Sequence, residues 1–137
     1  MQNGLQNPTV LVGRILLGLL FILAGLGKIG DFNGTVGYVA SGGLPMPAAV
    51  TVLTIAVELG GGLLLVFGLF TRWAALALAV FSVLSAIVFH NFWASPEAER
   101  MMQSTQFLKN LSIAGGMLVL AVFGPGTISI DAKRNAA

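Results

Sequence analysis

The side chains of this chain that are most able to do chemistry lie within or at the ends of its most apolar stretches. They are Lys28, Glu58, His90, Lys109 and Asn110. Together they supply one carboxylate, two amines, one imidazole and one amide, so they can donate and accept hydrogen bonds and exchange protons. We expect them to be the ligand-binding residues of a polar pocket for a molecule with a polar head and an apolar body.

The composition predicts that these residues belong to a membrane protein. Hydrophobic residues make up 56% of the 137 residues and charged residues only 9%, and the mean hydropathy is +0.91. Soluble domains carry about 25% charged residues, so lipid rather than water must surround most of this chain. The formal charge of +2 is the difference between seven basic and five acidic side chains, which is too few to indicate a nucleic-acid partner.

Four apolar segments are each about as long as a membrane crossing. They cover residues 9–28, 48–68, 73–92 and 107–124. We therefore predict an all-α fold, a four-helix transmembrane bundle that forms a single domain over residues 1–137. Short interfacial helices are expected in the connections between the first and second spans and between the third and fourth.

Each span carries a stripe of small or polar residues at helical spacing. The stripe of the first span consists of Arg14, Gly18, Phe21, Gly25 and Lys28. In the fourth span Lys109, Ser112 and Gly116 share a face, with Asn110 beside them. We expect all four stripes to face the bundle interior, where Gly18 and Gly25 would permit close packing of helices.

Glu58 is the acidic residue placed deepest in a span. It lies about ten residues into the second span, roughly 15 Å deep at 1.5 Å per residue. A charge at the centre of a membrane helix costs about 2.5–3.5 kcal/mol, so Glu58 must be protonated, hydrated or paired. Arg14, Lys28 and Lys109 are its candidate partners, because their long side chains reach along a helix. We expect Arg14 to be a structural intramembrane charge, and a buried Glu58–Arg14 pair without a ligand stays open.

The remaining candidate residues also have structural explanations. Lys28 could extend towards the membrane surface, as lysines near span ends do. His90 could hydrogen-bond a loop as an interfacial aromatic residue. Lys109 and Asn110 could cap the bundle. The residues alone therefore leave a ligand site and a purely structural role both open.

The residue types also limit the cofactors. The chain has no cysteine and a single histidine. The lack of cysteine excludes disulfides, thiol redox chemistry and cysteine-ligated clusters within this chain. A lone histidine does not favour a metal or haem site, so we predict no metal, haem or thiol cofactor. A quinone is the cofactor that the polar, membrane-embedded residues favour, because its carbonyl groups accept hydrogen bonds and its body is apolar.

The order and spacing of several short motifs resemble those of the DoxX family of small bacterial four-helix membrane proteins. These motifs are Gly13-Arg14, Ala24-Gly25-Leu26-Gly27-Lys28, Glu58 followed by Gly61-Gly62, Gly68-Leu69-Phe70-Thr71-Arg72, His90, Phe107-Leu108-Lys109-Asn110-Leu111, Gly115-Gly116, and Gly124-Pro125-Gly126 leading to Ser129-Ile130-Asp131. The resemblance extends over almost the whole chain.

The resemblance implies an integral protein of the bacterial inner membrane and does not settle an activity. The family takes its name from a subunit of a thiosulfate:quinone oxidoreductase, and other members are associated with oxidative-stress complexes that contain partner enzymes. Together with the polar residues of the spans, these associations lead us to predict a membrane subunit that is linked to redox metabolism, binds a quinone or other lipid-like molecule and takes electrons from a partner oxidoreductase. Members that work through cysteines are not a model for this chain, and whether the chain is itself catalytic stays open.

Two other functions stay open beside this one. The chain could be a non-catalytic scaffold or anchor for other proteins, in which case the buried charges are structural. A small transporter or channel would require an oligomer, because four helices are few for a pore. Membrane lipid is a partner in each case, and the glycine-bearing faces also suit a homo-oligomer.

The distribution of basic residues predicts the orientation in the membrane. Four spans place both termini on one side. That side would hold Arg14, Arg72, Lys133 and Arg134. The other side would hold Lys28, Arg100 and Lys109. The positive-inside rule then places the N- and C-termini in the cytoplasm, by a margin of one basic residue.

Reporter fusions test this orientation. We predict that a green fluorescent protein fused after Ala137 fluoresces and that an alkaline phosphatase fused there is inactive, because the phosphatase requires export to fold. Fusions after Gly43, in the first connection, should give the opposite pair of results. An active phosphatase after Ala137 would reverse the predicted orientation.

Overall fold

Helices account for most of the computed structural model, which describes residues 4–136. Six α-helices follow one another, and a short 3₁₀ turn (Phe92–Ala94) lies between the fourth and fifth. They are α1 (Gln6–Gly30), α2 (Phe32–Ser41), α3 (Pro47–Phe67), α4 (Thr71–Phe89), α5 (Glu97–Phe123) and α6 (Ile130–Ala136). Helices α1, α3, α4 and α5 are long and apolar enough to cross a membrane. The predicted four-helix transmembrane bundle is confirmed, and no strand occurs within residues 4–136.

The four long helices form two closely packed pairs. Helix α1 packs along α3 and α4 packs along α5, while a smaller contact between α3 and α4 joins the pairs. The fully buried apolar core lies in the half of the bundle near the α3–α4 turn, around Phe21, Leu65, Leu78 and Met117. This core holds the turn end of the bundle together and leaves the other end to the site described below.

Three glycines set the distance between α1 and α3. A Cβ atom on Gly62 would lie 2.7 Å from the carbonyl oxygen of Gly18, and one on Gly18 would lie 2.7 Å from that of Gly62. Further along α1, a Cβ on Gly25 would lie 2.7 Å from Leu59 Cγ. The predicted packing role of Gly18 and Gly25 is therefore confirmed, because any side chain at these positions would force the helices apart.

The prediction of inward-facing stripes is confirmed for the first span and wrong for the fourth. In α1, Arg14 and the glycine stripe are buried. In α5 the buried residues are Ala114, Met117 and Leu120, whereas Lys109 and Ser112 are exposed. The reason is that α5 packs mainly against α4, and a dry contact of that kind accepts small and apolar side chains but not an unpaired ammonium group.

The connections match the sequence on one side of the bundle and differ on the other. Helix α2 is the predicted interfacial helix of the first connection; the Asp31 carboxylate caps it by accepting from the Gly34 N–H at 3.1 Å. In the other connection, the expected separate helix is the first part of α5. No proline or glycine occurs between Glu97 and Gly115, so nothing breaks the helix before the fourth span.

Arg14 ties the chain's C-terminal segment to the bundle. The residue is only 2% exposed. Its Nη1 donates to the carbonyl of Pro125 at 2.7 Å, and its Nη2 donates to the carbonyls of Ile128 at 2.9 Å and Val66 at 3.4 Å. Three backbone carbonyls thus compensate the buried guanidinium charge, and the segment after α5 is folded back over the ends of α1 and α3.

Asp131 caps the N-terminus of α4 from a distant part of the chain. Its Oδ1 accepts from the Phe70 N–H at 2.8 Å and its Oδ2 from the Thr71 N–H at 2.9 Å. Partial burial acts to raise the pKa of Asp131, but the hydrogen bonds from Thr71 and Phe70 and the charge of Arg134 outweigh it and lower the pKa below its ordinary value. The carboxylate is therefore ionised at neutral pH, where it also complements the helix dipole.

The contact between α1 and α3 gives a prediction with a matched control on the same helix. We expect Gly62→Ala to lower the free energy of unfolding by about 1–3 kcal/mol, because overpacking a close contact costs that much. A Cβ on Gly60 meets nothing within 4 Å, so Gly60→Ala should leave stability unchanged or slightly raised. Thermal unfolding of both variants in detergent checks this, and equal melting temperatures would contradict it.

Candidate intramembrane ligand site

A cavity of about 490 Å³ lies in the half of the bundle away from the α3–α4 turn. Residues of α3 and α4 form its two long walls, and α2 lies across its end. Most of its lining is aliphatic or aromatic. Its polar lining residues are Lys28, Thr35, Tyr38, Thr54, Glu58, Ser85 and His90. The cavity thus combines an apolar body with a few polar groups, as small-molecule sites commonly do.

The cavity can be reached from the lipid. Near their turn, α3 and α4 are in contact, since a Cβ on Gly61 would lie 2.9 Å from Leu78 Cγ. Further along the two helices the cavity lies between them, and two of its lining residues, Leu53 on α3 and Leu84 on α4, are largely exposed. These leucines form the rim of a lateral opening towards the bilayer interior.

Helix α2 covers the end of the cavity through aromatic packing. The ring of Tyr38 stacks on that of Phe89, with the centroids 5.0 Å apart and the planes inclined by 21°. Gly42 allows this close approach, because a Cβ there would lie 2.7 Å from the Phe89 ring. Val39 is buried at the same junction. The end of the cavity is therefore closed by side chains of α2, and access is from the side.

An ion pair between Lys28 and Glu58 forms the charged part of the cavity wall. Lys28 Nζ donates to Glu58 Oε1 at 2.9 Å. Glu58 is only 4% exposed, whereas the Lys28 side chain is partly exposed. Of the three partners considered for Glu58, the structure selects Lys28; the alternative Glu58–Arg14 pair does not form, because backbone carbonyls hold Arg14.

The second carboxylate oxygen of Glu58 has no partner within the protein. Among residues 4–136, no donor lies within hydrogen-bond distance of the buried Oε2. A buried acceptor that makes no hydrogen bond costs about 1–3 kcal/mol, and more when it is charged. Because Glu58 lines the cavity, the contents of the cavity could supply the missing donor.

His90 contributes an imidazole whose orientation is fixed by α5. Its Nδ1 lies 2.9 Å from Oε1 of Gln103. With the amide oxygen of Gln103 facing the ring, Nδ1 is the donor of this hydrogen bond, and Nε2 of a neutral imidazole is then left as an acceptor. The predicted contact of His90 with a loop is thus replaced by a contact with a helix.

Sequence reasoning missed Gln103 and several polar lining residues. Gln103 lies in the connection for which the sequence predicts a separate interfacial helix. It lies beside the end of α4 because α5 is one continuous helix from Glu97 to Phe123. Thr54 stands four residues before Glu58, so helical spacing could have placed it on the cavity wall. Ser85 carries no comparable signal in the sequence.

The structure does not bring the other sequence-predicted residues to this cavity. Lys109 is exposed on the outer side of α5, and neither it nor Asn110 lines the cavity. Arg14 is buried near the other end of the bundle, against the C-terminal segment. Lys28, Glu58 and His90 are therefore the members of the predicted set that surround one cavity.

The same three residues fall within the segment shared with a known protein family. The DoxX family model matches residues 9–91. This chain belongs to the DoxX family. The matched segment contains α1 to α4, and with them both walls and the cover of the cavity.

The relatives agree with this membership along nearly the whole chain. The chain is 44% identical to the inner membrane protein YqjF of Escherichia coli over 131 residues, which is 96% of this chain and 95% of the relative. It is 37% identical to the inner membrane protein YphA of the same organism, over 95% of this chain and 94% of the relative. These relatives and the four membrane-spanning helices indicate an inner-membrane protein of the DoxX family.

A more distant relative has a name that concerns chemistry. The chain is 34% identical to CatD of Bacillus subtilis over 88 residues, which is 64% of this chain and 63% of the relative; its name assigns it provisionally to the oxidoreductases. No solved structure matches the chain.

Removing one partner of the Lys28–Glu58 ion pair should lower the free energy of unfolding more than removing both partners. Loss of one member of a buried ion pair costs about 3–5 kcal/mol; for Lys28→Met we expect about 2 kcal/mol, because Lys28 is partly exposed. The double variant Lys28→Met/Glu58→Gln should recover most of this loss, since no charge is then left unpaired. Thermal unfolding of the single and double variants in detergent measures the coupling, and additive losses would exclude it.

Proposed function

We propose that this DoxX-family protein is a subunit that binds a quinone or a similar lipid-like molecule in its intramembrane cavity and works with a partner oxidoreductase. The observation that carries this proposal is the lateral cavity between α3 and α4. It is open to lipid, mostly apolar, and its wall contains a charged pair, Lys28–Glu58, at a depth where charge is costly.

The size of the cavity supports a ring-sized head with part of an apolar tail. Small-molecule sites commonly measure about 300–1,000 Å³, and the volume here is about 490 Å³. The rest of a longer isoprenoid chain would leave through the opening between Leu53 and Leu84. A freely soluble polar metabolite is a poorer match, because its route would lead through lipid.

The polar groups support a head that takes part in hydrogen bonding and proton exchange. The ammonium group of Lys28 has three donors, of which Glu58 receives one. Glu58 and His90 are the groups able to accept a proton from a bound head or return one to it. Electrons would come from a partner protein, since the sequence contains no recognisable motif for a redox cofactor. The oxidoreductase name of CatD supports this direction.

The scaffold alternative explains the same residues less well. In a scaffold, the intramembrane charges would serve only to hold helices together. Arg14 does so through backbone carbonyls in the turn half of the bundle. Glu58, in contrast, lines the cavity. Nε of Arg14 also lacks a partner in the described chain, but only the unpartnered oxygen of Glu58 belongs to a residue of the cavity wall, where a ligand could supply the donor.

Extraction of the native ligand tests the proposal. The wild-type protein would be purified in mild detergent, and its solvent extract compared by mass spectrometry with that of Glu58→Gln. We expect about one quinone per protein in the wild type and a several-fold lower content in the variant, because Glu58 forms the polar wall of the cavity. Glu97→Gln is the matched control; Glu97 is exposed in the first turn of α5, and its variant should keep the quinone.

The possible outcomes separate ligand site from scaffold. Bulk phospholipid alone in all three preparations, together with a lowered melting temperature for Glu58→Gln only, would replace the ligand site by the scaffold. Lys109→Met adds a second comparison. A quinone lost from Lys109→Met but kept in Glu58→Gln would move the site to the outer face of α5 and contradict the cavity.

A further inference from the structure

We infer that the cavity selects a ligand whose head bears a hydroxyl group, and so binds a quinol in preference to the quinone of the same skeleton. This inference rests on the proposed function, because it specifies which form of the ligand the site holds. It is carried by the hydrogen-bonding state of Glu58, Lys28 and His90. The two forms differ by two hydrogen atoms and hardly in shape, so only these groups can distinguish them.

Glu58 requires a donor that the described part of the chain does not supply. Its Oε1 is occupied by Lys28 at 2.9 Å, while Oε2 is buried and accepts no hydrogen bond from residues 4–136. A quinone presents only carbonyl and ether oxygens to a protein, and these cannot donate. A quinol hydroxyl can donate to the carboxylate, and a hydrogen bond to a charged group is about twice as strong as a neutral one.

Lys28 does not reverse this preference. Its ammonium group has donors beyond the one used by Glu58, and these could bind a quinone carbonyl. A hydroxyl oxygen, however, also accepts, so a quinol can accept from Lys28 and donate to Glu58 at the same time. A carbonyl satisfies Lys28 alone and leaves the Glu58 oxygen buried without a partner.

His90, at the other end of the cavity, also favours a ligand that donates a hydrogen bond. Because its Nδ1 donates to Gln103 Oε1, the neutral imidazole offers Nε2 as an acceptor. Glu58 lies about ten residues before the α3–α4 turn and His90 about twenty residues after it, so the two acceptors are roughly 15 Å apart along the helices. One head therefore meets one of them at a time, and each favours a donor.

The remaining polar groups of the cavity wall do not distinguish a quinone from a quinol. The hydroxyl groups of Thr54 and Ser85 both donate and accept, and they can therefore serve a quinone and a quinol equally. The preference is thus assigned to Glu58 first, because its carboxyl group is paired with Lys28 and is only 4% exposed.

Titration with one quinone in its two redox forms tests the inference. Protein in nanodiscs would be titrated anaerobically with decyl-benzoquinone and with its quinol, using calorimetry. For the wild type we expect the dissociation constant of the quinol to be about tenfold or more below that of the quinone, the ratio that one charged hydrogen bond produces. This comparison needs no variant, so it stands even if a variant fails to fold.

Two variants locate the preference. In Glu58→Gln the amide presents N–H donors to the cavity in place of a carboxylate oxygen, so the affinity for the quinol should fall several-fold more than the affinity for the quinone, and the quinol advantage should disappear. In His90→Phe the ring is kept and the acceptor lost, so any change should be confined to the quinol. Glu97→Gln, outside the cavity, should behave as the wild type.

The outcomes distinguish this inference from the proposed function. Equal or tighter binding of the quinone by the wild type would overturn the inference and leave the quinone site in place. An undiminished quinol preference in folded Glu58→Gln would overturn its assignment to Glu58. Binding of neither form would overturn both the inference and the proposed function.

Discussion

The buried guanidinium group of Arg14 is the constraint on which the rest of the structure depends. Arginine stays charged under all ordinary conditions, so a side chain that is 2% exposed must find acceptors. It finds them in backbone carbonyls of the segment that follows α5 and at the end of α3. This choice fixes where the chain goes after the last span, and it brings Asp131 to the N–H groups at the start of α4. Gly68 leaves the necessary space, since a Cβ there would lie 2.7 Å from Arg14 Nη1.

The two ends of the bundle therefore have different roles, since one holds the helices together and the other contains the cavity. At the turn end, the Arg14 contacts, the Asp131 cap and the apolar core around Leu65 and Leu78 hold all four helices. At the other end, α3 and α4 have no short turn between them, and the wider space is lined by the Lys28–Glu58 pair and covered by α2. The apolar core and the tied C-terminal segment at the turn end provide stability, while the other end keeps the cavity between α3 and α4.

The sequence predicts those features that depend on helical spacing alone. The positions of the four spans and the burial of the Arg14–Gly25 stripe follow from local periodicity, and both are seen in the structure. The orientation of α5 does not follow from periodicity, because the face that a helix buries depends on the neighbour it packs against. The sequence therefore predicts that Lys109 faces the bundle interior, whereas the structure shows it exposed on the outer side of α5. The contact between His90 and Gln103 required knowledge that α5 is one continuous helix. The sequence limits the partner of Glu58 to three basic residues but does not choose among them, because the long side chains of lysine and arginine can reach residues at several heights along a neighbouring helix.

The distribution of charge within the membrane supports a ligand-binding role for Glu58, as proposed, over a purely structural role. Arg14, Lys28 and Lys109 are the basic residues that the sequence offers as partners for Glu58, and each of them is accommodated differently. Arg14 is held by carbonyls, and Lys109 is exposed on the outer face of α5. Neither uses the carboxylate. Glu58 is thus free of any role in the turn end of the bundle, and its one partner, Lys28, lies with it on the cavity wall. An acid that is held on a cavity wall, at a depth where charge is costly, is the arrangement that the proposed ligand site would explain.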